Sequence, residues 1–246
     1  MQSLIVIPAR MGSTRFPGKP LCDLMGKPML QWVVEAARSA GAADGVVVAT
    51  PDQEIVDACN GFGADVVLTS PHHPSGTDRL AEVARGTVAD VYINVQGDEP
   101  LIRPSTIRVC AHPLLEDPGI AMGSVYSECA PGEWDDPAVV KVVTDLEGYA
   151  LYFSRFPLPF PRNERATGIK KHVGIYAFRR DTLLAFANWA PTALERTEGL
   201  EQLRFLEHGV RIYMAQGEGA EMAVDTPEQA ERVRKVLLAR SSTASK

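Results

Sequence analysis

At 246 residues, with 45% hydrophobic and 23% charged side chains, the chain has the apolar content to build one large α/β domain. A formal net charge of −6 excludes nonspecific nucleic-acid binding, which needs a basic face, but leaves room for a local basic cluster around a small anion. Four scattered cysteines (Cys22, Cys59, Cys110 and Cys129) contain no C-x-x-C pair and read as free thiols. No apolar run approaches the ~18 residues that span a bilayer, so no membrane is expected.

In chain order, Met1-Gln2-Ser3 leads without a basic leader into Leu4–Ile7, a buried strand, so the expected compartment is the cytoplasm. Val46–Ala49, Val66–Leu68 and Val91–Val95 read as further strands. Between the first two lies a helix over Met29–Ala40, with an apolar stripe of Met29, Val33, Ala36, Ala37 and Ala40. Pro28 suits its first turn and Gly41 its end. This βαβα alternation predicts a mostly parallel sheet flanked by helices. Val139–Thr144 and Ala150–Phe153 flank Asp145–Gly148 as a hairpin. Phe156–Pro161, with three prolines, reads as a loop. His172–Phe178 and Arg211–Met214 return to strand, Leu200–His208 and Thr226–Arg240 to helix, and residues 241–246 are expected to fray.

Six segments can carry chemistry. Pro8–Pro20 follows the first strand, where ligands collect in open α/β sheets. Arg10, Arg15 and Lys19 supply cations there, and Gly12 and Gly18 allow close approach of an anion such as a polyphosphate. The glycine spacing and Pro20 exclude a P-loop, and a solvated basic loop is the other reading. Asp98 ends one strand in Asn94–Pro100, and Asp225 ends another in Val224-Asp-Thr-Pro. The two could share a magnesium ion, or Asp225 could merely cap the last helix. Ser75–Arg79 opens a helix after His72-His73-Pro74, and alone reads as a cap. His172, Gly174 and Tyr176 share one strand face. Glu201 and Gln202 could hydrogen-bond a polyol or simply decorate a surface helix. His72, His73, His112 and His208 show no metal spacing. Neither a nucleophile elbow nor a dinucleotide fingerprint is present.

Taken together, and in order, these segments resemble the 3-deoxy-manno-octulosonate (Kdo) cytidylyltransferases. The matching stretches are IPAR-x-x-STR-x-PGKPL at the start, SGTDRLAEV at 75–83 and NVQGDEPLI at 94–102. VVKVVTDLEGYALYFSR at 139–155, HVGIYAFR at 172–179, LEQLR at 200–204 and VDTPE at 224–228 continue the series. Departures are Met11-Gly12 for a Tyr-Ala pair, Phe16 for Leu, Gln229 for an acid, and a short segment between Phe160 and Lys170.

The resemblance implies a nucleotide-diphospho-sugar-transferase-like fold, one domain over 1–246 with a sugar-side and dimerisation insert at about 125–195, and a homodimer. It implies transfer of CMP from CTP to Kdo, for lipopolysaccharide synthesis, with Mg²⁺ as cofactor. Asp98 and Asp225 are then the metal carboxylates. Ala9, Arg10, Lys19, Ser75, Gly76 and Arg79 become nucleotide ligands; Gln96, Arg155, His172, Tyr176, Glu201 and Gln202 surround the sugar acid. Arg10, Lys19 and the two aspartates are the expected catalytic set. Other acceptors (8-amino-Kdo, a sialic-type sugar, a phosphonate) and a non-catalytic nucleotide-binding regulator are the alternatives.

Overall fold

The computed structural model describes residues 2–163, 167–218 and 222–244. Strand β1 (Ser3–Pro8) buries Ile5, Val6 and Ile7 completely, as a strand covered by helices on both faces must. A two-residue ribbon, β2 (Asp23–Leu24) and β3 (Lys27–Pro28), leads into α1 (Met29–Ala40). The helix keeps its expected bounds: Pro28 is the N-cap, and Gly41 closes it in the left-handed region at φ 58°. Its buried stripe also takes in Leu30 and Val34, while Ala36 is half-buried.

The alternation then continues through β4 (Gly45–Thr50), α2 (Gln53–Gly61), β5 (Asp65–Leu68), α3 (Gly76–Gly86), β6 (Val91–Asn94) and α4 (Pro104–Glu116). Strands β6, β1, β4 and β5 pair in parallel in that spatial order. Helices α1, α2 and α4 pack on one face around Ile7 and Val48, and α3 packs on the other around Val6 and Val47.

The second half comprises β7 (Met122–Glu128), β8 (Lys141–Thr144), β9 (Ala150–Ser154), β10 (Lys170–Arg179), α5 (Arg180–Phe186), α6 (Ala193–Glu198), α7 (Gln202–Glu207), β11 (Ile212–Gln216) and α8 (Pro227–Ala244). Strand β10 inserts antiparallel between β6 and β7, with Tyr176 opposite Asn94 on one side and Ser124 on the other. A helical crossover enforces parallel pairing, but β10 follows a hairpin and a proline-rich loop, so no such constraint acts on it. The antiparallel run sends Lys170–Val173 past the end of β6, toward the loop that carries Asp98. Strand β11 pairs parallel with β7 at the sheet edge.

The hairpin at Asp145–Gly148 forms as expected. Asp145 Oδ1 accepts the N–H groups of Glu147 at 2.9 Å and Tyr149 at 2.8 Å, and Gly148 takes φ 89°. Within the 125–195 range, β10 and most of β7 belong to the main sheet; the β8–β9 hairpin stands off its main path.

Other expectations need correction. The helix expected over Leu200–His208 is only Gln202–Glu207, because Leu200 and Glu201 form the preceding turn. The last helix, expected to end at Arg240, is assigned to Ala244; residues 245 and 246 lie outside the described residues, as do 164–166 within the short 160–170 segment. All four cysteines are free thiols, three of them buried. Among the described residues, no helix is long and apolar enough to cross a membrane.

Candidate active site

The ends of β1 and β6 meet at Gly97. A Cβ there would sit 2.7 Å from the Pro8 carbonyl oxygen, so only glycine lets the two loops approach this closely. Beyond Pro8, the basic loop is held at both ends. Ala9 donates to the Ala49 carbonyl at 3.0 Å, Met11 N–H to Asp52 Oδ2 at 2.7 Å, and Gly18 N–H to the Met11 carbonyl at 3.1 Å. Gly18 turns the chain at φ 73° into a single 3₁₀ turn that starts at Lys19.

Lys19 donates to Asp98 Oδ2 at 2.7 Å and to Asp225 Oδ1 at 3.0 Å. Burial alone would lower its pKa, but Asp98 and Asp225 outweigh burial and hold the ammonium above its ordinary value. Arg15 reaches the other oxygen of Asp225 at 3.1 Å. The two carboxylate segments are stitched together as well, since Val224 N–H donates to the Asp98 carbonyl at 2.8 Å. Asp225 does not cap α8. Thr226 Oγ1 accepts from Gln229 N–H at 3.4 Å, and Gln229 Oε1 returns to accept from Asp225 N–H at 2.6 Å and Thr226 N–H at 3.0 Å. Gln229, a departure from the family pattern, supplies the neutral half of this capping box.

These groups border a cavity of about 490 Å³, which is large enough for a nucleotide. Ala9, Arg10, Arg15, Lys19, Asp98 and Asp225 line it from the strand ends, along with Gln96. Ser75, Gly76 and Arg79 line it from the start of α3, where Ser75 is the N-cap, accepting from Asp78 N–H at 3.2 Å. Arg79 is buried, bonded to Thr69 Oγ1 and, at 3.0 Å, to the Ser70 carbonyl. Every nucleotide and metal residue expected from the sequence therefore borders one cavity.

Of the expected sugar residues, Gln96 borders this cavity. Glu201 adjoins the α3 terminus, accepting from Thr77 Oγ1 at 2.9 Å, and burial pushes its carboxyl upward. Tyr176 donates to Gln202 Oε1 at 3.3 Å, while the buried Gln202 Nε2 has no partner. Arg155 and His172 both have partners within the protein. His172 packs against Phe153 and Tyr176, shares a 2.9 Å contact with Ser124 Oγ, and burial pushes its pKa down to about 3. Arg155 does not present an unengaged guanidinium to an acid. Its Nε donates to the Glu198 carbonyl at 2.8 Å and its Nη1 to Pro137 at 2.8 Å. Nη2 points to Gly199 at 3.4 Å. Arg155 is thereby the staple that fixes the turn before Glu201.

Three residues near the site were not singled out from the sequence. Glu99 is buried, and burial, then Asp98, raise its carboxyl to about 8; the doubled acid at the strand end was the available signal. Asp52 anchors the basic loop from the end of β4. His73 borders the cavity with its ring against Glu82.

Cations for a polyphosphate and paired carboxylates for a metal occur together where a nucleoside triphosphate is handled, and on this sheet they define a nucleotidyltransferase. The cytidylyltransferase family model matches residues 4–212. The 3-deoxy-manno-octulosonate cytidylyltransferase of Geobacter sulfurreducens is 50% identical over 95% of this chain and 98% of its own; that of Vibrio vulnificus is 49% identical over 98% and 100%. The solved CMP:2-keto-3-deoxy-manno-octonic acid synthetase complexed with CTP superposes with a TM-score of 0.95, at 42% identity, over 98% of this chain and all of that one. The chain belongs to the 3-deoxy-manno-octulosonate cytidylyltransferase family.

Proposed function

We propose that the protein transfers CMP from CTP to 3-deoxy-manno-octulosonate, releasing pyrophosphate. The observation that carries this reading is the convergence of Lys19, Asp98 and Asp225 at one point of a cavity whose other wall is the N-terminus of α3. A hydroxyl oxygen of the acceptor attacks the α-phosphorus, the bond to the β-phosphate bridging oxygen breaks, and the hydroxyl proton is lost to solvent. Arg10, Lys19 and the amides opening α3 offset the charge on the departing pyrophosphate. Gln202 Nε2, a buried donor without a protein partner, supports a hydroxylated ligand nearby.

The donor set fits a magnesium ion. Oxygens of Asp98 and Asp225 lie 2.7 and 3.0 Å from one ammonium nitrogen, so both can face a single cation. Among the described residues, no third His, Cys, Asp or Glu joins them, which suits a metal that completes its shell with substrate oxygens and water. When bound there, Mg²⁺ supplies Lewis-acid and charge-neutralising chemistry. With both carboxylates so engaged, Lys19 would be free to face the phosphates. A homodimer in the cytoplasm completes the proposal. Exposed Leu146, Leu151, Phe156 and Phe160 on the β8–β9 hairpin and the loop after it support a self-association surface.

The test is pyrophosphate release with CTP and Mg²⁺ across Kdo, 8-amino-Kdo, N-acetylneuraminate and a phosphonate. Kdo should turn over fastest. Faster turnover of another acid overturns the acceptor, and turnover of glucose 1-phosphate with UTP overturns the acid-sugar reading.

A further inference from the structure

His73 lies in the connection between β5 and α3, followed by Pro74, which restricts its backbone. His73 borders the cavity, and its Nε2 is paired with Glu82 Oε2, on the second turn of α3. The same carboxylate oxygen accepts Ser70 N–H at 2.9 Å, so the group orienting the imidazole is itself held. The side chain is only 17% exposed. Nδ1 has no hydrogen bond to another described residue. With Nε2–H given to the carboxylate, the neutral ring keeps its lone pair on Nδ1.

The side chains around it differ in kind. Arg79 only donates and is already bonded to Thr69 and Ser70, and the Ser75 hydroxyl donates to Asp78 Oδ2 at 2.8 Å. Among the described residues at the start of α3, Nδ1 is therefore an uncommitted side-chain acceptor, and Pro74 borders the cavity beside it.

We propose that His73, oriented by Glu82, is a specificity-determining residue that accepts a hydrogen bond from the exocyclic amino group of the pyrimidine. It thereby favours an aminopyrimidine over an oxopyrimidine nucleotide. Uracil presents a carbonyl oxygen where cytosine presents the amine, and two acceptors facing each other leave both unpaired, which typically lowers affinity about 10- to 100-fold. Glu82 is a positioning residue, acting through the ring. The inference rests on the reading that this cavity takes CTP.

The experiment compares wild type with His73→Ala, His73→Asn and Glu82→Gln at pH 8. It measures CTP and UTP affinity by calorimetry without acceptor, and KM and kcat for both nucleotides with Kdo. His73→Ala should lose roughly 10- to 100-fold in CTP affinity, mostly in KM, with UTP binding unchanged or improved. His73→Asn, whose amide oxygen replaces the acceptor, should keep part of the preference, and Glu82→Gln should fall between. Circular dichroism verifies the folding of each variant. An unchanged CTP-to-UTP ratio in folded His73→Ala overturns the proposal. So does an equal loss for both nucleotides that spares 2′-deoxy-CTP, which would place His73 on the ribose. If wild type binds CTP over UTP but turns over no acid sugar, the enzymatic reading fails while the affinity ratio still decides His73.

Discussion

Lys19 holds two carboxylates that belong to segments 79 and 206 residues away from it. Asp98→Asn should leave the fold intact, because the carboxylate faces the cavity, and reduce turnover by at least ~100-fold through lost charge stabilisation at ~1.4 kcal/mol per tenfold. Asp225→Asn should behave alike. Near-normal turnover of either folded variant at ordinary Mg²⁺ would remove the paired-carboxylate site. Arg10 is exposed, so Arg10→Ala should raise the KM for CTP with its melting temperature unchanged.

Lys19→Ala differs, since its side chain is 14% exposed between two anions. It should melt a few degrees lower without metal, a shift of roughly 2–4 °C per kcal/mol for a chain of this size. If Mg²⁺ takes the oxygens that hold the ammonium, it should stabilise Lys19→Ala more than wild type. Equal stabilisation of the two in a thermal melt would count against shared occupancy.

His172 has a pH signature of the opposite kind to Lys19. Its folded pKa of about 3 lies below the ordinary 6.5, so the unfolded chain binds the extra proton. The stability this contributes is present above pH 6.5 and is progressively lost as pH falls toward 3. His172→Phe, filling the space beside Phe153 and Tyr176, should flatten that part of the stability-versus-pH curve in denaturant titrations. An unaltered slope would mean that His172 is protonated in the folded state.

Among elements, one close fit is where β1 and β6 meet. Gly97→Ala places a methyl 2.7 Å from the Pro8 carbonyl, so the basic loop and the Asp98 loop must part. Both melting temperature and turnover should fall together, and retention of either at wild-type level would show that the loops can yield. The parallel half of the sheet was legible because each strand is a short β-branched run followed by a helix with its own stop, as at Gly41. The antiparallel entry of β10 was not, since period-two burial reads the same in either direction and only the partners reveal it. The shared cavity of the residues expected to hold a metal and phosphates was legible because they follow strand ends, where backbone direction brings them together. The surroundings of Arg155 and His172 were not legible for a common reason. Sequence shows that a group can carry charge, but not that three carbonyls engage the guanidinium or that Phe153 and Tyr176 desolvate the imidazole.

For the whole molecule, a net charge of −6 contrasts with a cavity bordered by Arg10, Arg15, Lys19 and Arg79 against only Asp98 and Asp225, a local excess of positive charge. CTP should consequently bind more weakly as salt rises, through screening over about 8–10 Å, and a salt-independent affinity would contradict that arrangement. The bond from Val224 to the Asp98 carbonyl also sets an order in time. All eleven strands among the described residues precede Asp225, so the sheet can be complete while the two carboxylate segments are still apart. Joining them means closing a loop of more than a hundred residues, an entropic step that comes late in folding. On refolding from denaturant, β-sheet signal should return before turnover does, and turnover would then report the docking of the final segment.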